Sequence, residues 1–204
     1  MASTEKYSRI LDAFQELLDR KNVQTISVSE IAQTAGIGKG SIYYYFPSKD
    51  AILQALVKRN YEKPLETAKH LATRTDISPF TRMAMIFQAC RNSREEFKKQ
   101  DTPAKLENDQ ADTFLHHQYL KHLISELKPT LTQIIEQGIE KGDIHFDHPA
   151  ALAEIVLIVL TVKLDNTLVP SSSEEIAETI CGLIALLEKG TGNPAGSLNF
   201  LNAL

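Results

Sequence analysis

Tryptophan is absent from the 204 residues, and the two cysteines, Cys90 and Cys181, stand far apart with no CxxC or Cys/His spacing. That rules out a disulfide framework and a zinc knuckle, and it fits a reducing compartment. The opening MASTEKYSRI lacks the apolar stretch of a signal peptide, so a cytoplasmic location is expected. The most apolar run, Ile155 to Val162, falls far short of the roughly 20 residues that cross a bilayer, so no membrane partner is expected. No phosphate loop, nucleophile elbow or HExxH spacing occurs, so no catalytic residue, cofactor or metal is implied and the chain does not read as an enzyme.

What is present is ordinary globular material, with 43% hydrophobic and 24% charged residues, enough to bury a core of its own. Net charge is −4 but unevenly spread: nine basic residues against seven acidic up to Lys63, then thirteen against nineteen. A slightly basic head on an acidic body suits a chain that touches a polyanion with one end only.

Helical spacing dominates throughout, with no strand-rich region, repeat or low-complexity tract. Ile10, Leu11, Phe14, Leu17 and Leu18 mark one face of a first helix. Ser27 with Glu30 three residues on is a capping box, opening a second helix with inner face Val28, Ile31, Ala32 and Ala35, which Gly36 stops. After the turn Gly36-Ile37-Gly38, Ile42 and Phe46 share the face of a short third helix that Pro47 ends. Ser48 caps a longer one running to Pro64 or beyond it. Three helices joined this way are the parts of a helix-turn-helix unit. Beyond Lys63 the spacing predicts helices over 80–99, 105–141 (interrupted or kinked near Pro129), 149–169 and 173–189.

The stretch TISVSEIAQTAGIGKGSIYYYFPSKDAIL, with Ile10 to Leu56 around it, resembles the N-terminal domain of the TetR family of bacterial transcriptional regulators. Gly38 stands where that family usually has Ser or Thr, which removes a hydroxyl from the cap. The resemblance implies an all-α fold, with a DNA-binding domain over 1–50 and a helical regulatory domain over 51–204 that binds a small molecule and dimerises.

On physical grounds a recognition helix keeps one face for its own core and turns the other to the major groove, so Ile42 and Phe46 are expected inside. Lys39, Ser41 and Tyr43 are then expected to face the DNA, Lys39 at a guanine edge or a phosphate and Tyr43 at a thymine methyl, with Gly40 letting the backbone approach the bases. Tyr44, Tyr45, Lys49 and Ser27 are expected at phosphates, with Ser29 beside them. The expected partner is a palindromic double-stranded operator.

For the body, Met83, Phe87, Cys90, Phe114 and His117 are candidate ligand-pocket residues. Asp109, Asp112, His116 and His117 form a polar cluster, read as a helix surface rather than a metal site, and Cys90 is a candidate sensor thiol. Ile155, Ile158 and Val162, with Ile176, Ile180, Leu183 and Leu187, are expected to build an intersubunit four-helix bundle in a homodimer. The function expected is a repressor released from DNA by a small molecule. The alternative is a DNA-binding protein of the same fold with no effector, acting architecturally or through a protein partner.

Overall fold

The computed structural model describes residues 2–99, 109–166 and 169–203, with side chains described for all of these except 2, 3, 94–99, 109–117, 119, 165 and 203. Eight α-helices follow one another, and no strand occurs among the described residues. They are α1 (Ala2–Leu18), α2 (Val28–Thr34), α3 (Lys39–Tyr45), α4 (Lys49–Thr73), α5 (Pro79–Lys99), α6 (Asp109–Lys141), α7 (Pro149–Asp165) and α8 (Ser173–Thr191). A 3₁₀ turn, Asn199–Ala203, follows the last. The chain divides into two compact units, Met1–Glu62 with Glu95–Tyr119, and Lys63–Arg94 with Leu120–Leu204. The division at 62/63 falls inside α4, twelve residues beyond the boundary expected at 50/51, because α4 runs unbroken for 25 residues.

In the first unit Ile10, Leu11 and Phe14 of α1 meet Ile31 and Ala32 of α2, Ile42 of α3, Phe46, and Ile52, Leu53 and Leu56 of α4 in one buried cluster. Each fully buried Leu, Ile or Phe contributes about 1.5–3 kcal/mol, so this cluster, not helix propensity, holds the two seven-residue helices. Two cationic side chains close its ends. Arg9 Nη2 donates to Ala35 O at 2.7 Å, capping α2 from α1. Lys49 Nζ donates to Val23 O at 2.8 Å and Ile26 O at 2.9 Å, with Gln24 O farther off at 3.4 Å, and so ties the α1–α2 loop to the start of α4.

In the second unit the buried face of α6 includes Leu123, Leu127, Leu131, Ile134 and Ile135, on both sides of Pro129. Of the interruption or kink expected there, the interruption does not occur: α6 is one helix from Asp109 to Lys141. Burial of that face outweighs the roughly 3 kcal/mol cost of a proline inside a helix. The helix predicted to reach about 169 ends at Asp165, because Asn166 adopts φ 58°. Its side chain is locked there, Oδ1 accepting from Ser171 N at 2.7 Å and Nδ2 donating to Ser171 O at 3.1 Å. Helix α8 runs two residues past Lys189, to Thr191, before the left-handed Gly192 (φ 73°).

Arg82 is wholly buried, an outcome no periodicity predicts. Its Nη1 donates to Gln137 Oε1 at 2.6 Å and lies 3.4 Å from Ala72 O near the end of α4, while Nε and Nη2 find no acceptor among the described residues. Burial lowers its pKa from the ordinary guanidinium value, against the opposing pull of Asp76 and Asp143.

Candidate nucleic-acid interface

Helix α2 opens with the expected capping box. Ser27 Oγ accepts from Glu30 N at 3.2 Å and Ser27 N donates to Glu30 Oε2 at 2.8 Å. Lys21 Nζ donates to Glu30 Oε1 at 2.7 Å. That ammonium first, then the Ser27 backbone and hydroxyl, holds the Glu30 carboxyl down at about 2. A depressed folded value means that the stabilisation is present above the unfolded carboxyl range, near 4.3, and is lost as pH falls toward 2. Carboxyl NMR should therefore place the Glu30 midpoint near 2, with α2 amides losing protection across that window; Glu30→Gln should remove the pH dependence. A midpoint near 4.3 would contradict this cap.

The helix ends in a Schellman arrangement, with Gly36 N donating to Gln33 O at 3.1 Å and Ile37 N to Ala32 O at 3.0 Å. Gly36 has φ 64°, and a Cβ there would lie 3.1 Å from Arg9 Nη2. The turn delivers α3 with Ile42 and Phe46 buried and the opposite face bare: Tyr43 is 50% exposed and Tyr44 82%, while Lys39 and Gly40 are also open to solvent. Tyr44 stands edge-on to Tyr45, ring centroids 5.1 Å apart. Tyr45 is half-buried against the core, so one side of it belongs to packing. Ser41 is half-buried and Ser29 exposed.

Lys49 is not placed as the sequence suggested. Its ammonium is directed at main-chain carbonyls of the α1–α2 loop rather than left open for a phosphate, which makes it a positioning residue. Arg9 is a second such residue, and sequence reasoning missed it. Its target, Ala35 O, lies 26 residues away, a distance that no local pattern reports.

In the second unit Met83 and Phe87 are buried and line a small cavity, about 20 Å³, with Phe80, Val156, Leu160, Ile180, Leu183, Ile184, Leu187 and Leu201 among its walls. Every lining residue is apolar, and the space is about that of one water. Cys90 is buried but is not part of that lining. Burial pushes its thiol up to about 12, so the thiolate needed for sensing is almost absent at neutral pH. Iodoacetamide at pH 8 should accordingly label the exposed Cys181 quickly and Cys90 only on unfolding, and rapid labelling of both thiols would contradict the burial. The side chains of Phe114, His117, Asp109, Asp112 and His116 lie outside the described residues, and among the described residues no group of three His, Cys, Asp or Glu is placed to hold a metal.

The expected dimerisation residues separate. Ile180, Leu183 and Leu187 turn into the subunit's own core, since they line the cavity, whereas Ile155 and Ile158 on α7 are 52% and 45% exposed. Val162 and Ile176 are half-buried. On α8 the outward side instead carries Gly182, Ala185 and Leu186, the last 70% exposed. No helix among the described residues is long and apolar enough to cross a membrane.

A trihelical head with an aromatic and basic outward face, joined through α4 to an all-helical body, defines the class of helix-turn-helix DNA-binding regulators. Family models agree: residues 10–56 match "Bacterial regulatory proteins, tetR family" and residues 88–185 match "Tetracyclin repressor-like, C-terminal domain", together most of the chain. The chain belongs to the TetR family of transcriptional regulators.

Among curated relatives, the regulator EthR of Mycolicibacterium smegmatis is 42% identical over 53 residues, 26% of this chain and 24% of EthR. The fatty acid metabolism regulator protein of Bacillus subtilis is 27% identical over 143 residues, 68% of this chain and 71% of that one. The first relatives are matched over only about a quarter of their length, 26% and 24%. A crystal structure of RolR with resorcinol shares the fold at TM-score 0.64 and 18% identity, covering 100% of this chain and 96% of that one.

Proposed function

We propose that the chain is a homodimeric repressor in the cytoplasm that binds a palindromic operator through α3 and is released from it by a small molecule. The observation that carries the DNA reading is the bare face of α3: Lys39, Tyr43 and Tyr44 are exposed on a helix held to the core by Ile42 and Phe46, with Tyr45 packed beside them. Lys39 and Tyr43 have the reach for base edges, Tyr44 and Ser27 for phosphates, with Ser29, Ser41 and Tyr45 at the margin. The domain division follows this assignment, a reading head that ends within α4 and a regulatory body beyond it.

Ile155 and Ile158, three apart on one face of α7, offer the apolar patch for the second subunit, continued on α8 by Leu186 beside the small Gly182 and Ala185. For the effector, an apolar molecule suits walls that bring no polar side chain, and one relative is named for fatty acid metabolism. A second reading, a regulator of this fold with no small-molecule effector, is favoured by the small volume of that cavity.

Selection from random duplexes, followed by anisotropy titration, tests the first part: a near-palindrome should emerge. Recovery of no duplex above background would refute DNA binding. A thermal-shift screen of fatty acids and simple aromatics, with each hit retested on the selected duplex, decides between the two readings. A hit that weakens operator binding supports the effector; hits without that effect support the second reading.

A further inference from the structure

The apolar cavity of the second unit has walls of two kinds. Helices α5, α7 and α8 supply all of them but one, and the remaining wall is Leu201 of the 3₁₀ turn. Its present space, about 20 Å³, suits one water, whereas pockets that take a small organic molecule run to about 300 Å³ or more. An effector therefore fits only after a wall has moved. Movement of α5, α7 or α8 is costly, since each packs a long buried apolar face that a shift would expose.

Segment 194–203 is held far more lightly. Gly192 at φ 73° and Gly196 at φ 84° turn it back over α8, and the side chains it buries there are Leu198 and Leu201. Among the described residues two hydrogen bonds join it to α8: Leu198 N donates to Glu188 Oε1 at 2.8 Å, and Cys181 Sγ donates to Asn202 Oδ1 at 3.5 Å. The first of these keeps the Glu188 carboxylate buried, so opening the segment returns the hydration that closing removes, and the two states are brought closer in free energy. We propose, on the effector reading above, that segment 194–203 is the lid of this cavity: it lifts from α8 by turning about Gly192 and Gly196, and an apolar effector enters and seats where Leu201 lay. The small volume then belongs to the closed state, and the pocket of working size to the open one.

The contact at Asn202 allows the lid to be locked. Asn202→Cys places a second thiol beside Cys181, while the buried Cys90 stays out of reach, so oxidation ties the 3₁₀ turn to α8 and dithiothreitol releases it. With N-phenyl-1-naphthylamine as an apolar fluorescent probe, stopped-flow association should slow roughly tenfold or more on oxidation and recover on reduction. Leu201→Ala, which needs no cross-link, should speed it by about threefold or more. Amide exchange on the unmodified chain needs no probe: Leu198 should exchange on the order of 10²-fold faster than Leu183 and Ile184 in the interior of α8. Equal association rates in the locked and released forms overturn the lid, and so does a Leu198 amide that exchanges only together with those of α8. Probe bound by neither the released form nor Leu201→Ala, with Leu198 opening early, overturns the effector reading at this cavity and the lid with it, an outcome distinct from a lock that changes nothing.

Discussion

The double variant Ile155→Glu/Ile158→Glu should sediment as a monomer and lose on the order of 10²–10⁴-fold in affinity for a palindromic operator. Both side chains are about half exposed in the single chain, so the charges cost the subunit's own fold little. In a two-fold dimer the same charges are buried unpaired and face their own copies, a strongly destabilising arrangement. Operator affinity then falls because the second head no longer binds as a tethered partner, whereas the affinity of one head for a half-site stays as it was. Analytical ultracentrifugation and anisotropy on full and half operators measure both quantities. A variant that remains dimeric, or a monomer that binds the palindrome undiminished, defeats the α7 assignment.

Lys39→Ala and Tyr43→Ala should each cost roughly 1–3 kcal/mol on the operator and much less on scrambled DNA, because base-edge contacts vanish while phosphate contacts persist. Lys49→Ala should behave differently. Loss of a charged donor to the Val23 and Ile26 carbonyls costs about 1.5–3 kcal/mol of head stability, so both duplexes should weaken together. The salt slope of Lys49→Ala should stay near that of the unmodified chain, whereas a lysine on a phosphate takes about one counterion per subunit with it. Titrations across a salt series give slope and specificity at once. A slope shallower by one would restore Lys49 to the phosphates.

Local chemistry is what the sequence makes legible. The Ser27–Glu30 box, the Gly36 stop and the Ile42/Phe46 face follow from residue type at fixed spacing, and all appear in the structure as read. The TetR resemblance rests on the same stretch, through its AG turn, its aromatic recognition helix and the lysine that opens the next helix. Lys49 was misplaced because a lysine at a helix start has the same appearance whether its ammonium meets a phosphate or a carbonyl 26 residues back. Arg9 and Arg82 escaped notice for the same reason, their partners lying 26 and 55 residues away. On α8, the stripe Ile180, Leu183 and Leu187 was correctly seen as apolar, but periodicity does not say whether a stripe faces its own core or a second chain.

The division of labour within α3 has a bearing on how such a regulator acquires new targets. Its grip on the head runs through Ile42 and Phe46, with Tyr45 beside them, and the outward positions 39, 40, 43 and 44 are exposed. On the proposed assignment, substitutions at 39 and 43 change what is read while leaving the buried cluster unaltered, so drift there costs the fold little. On that assignment a duplicated copy of the gene can diverge in its target sequence long before it diverges in architecture, and substitutions confined to this one face would retarget the protein.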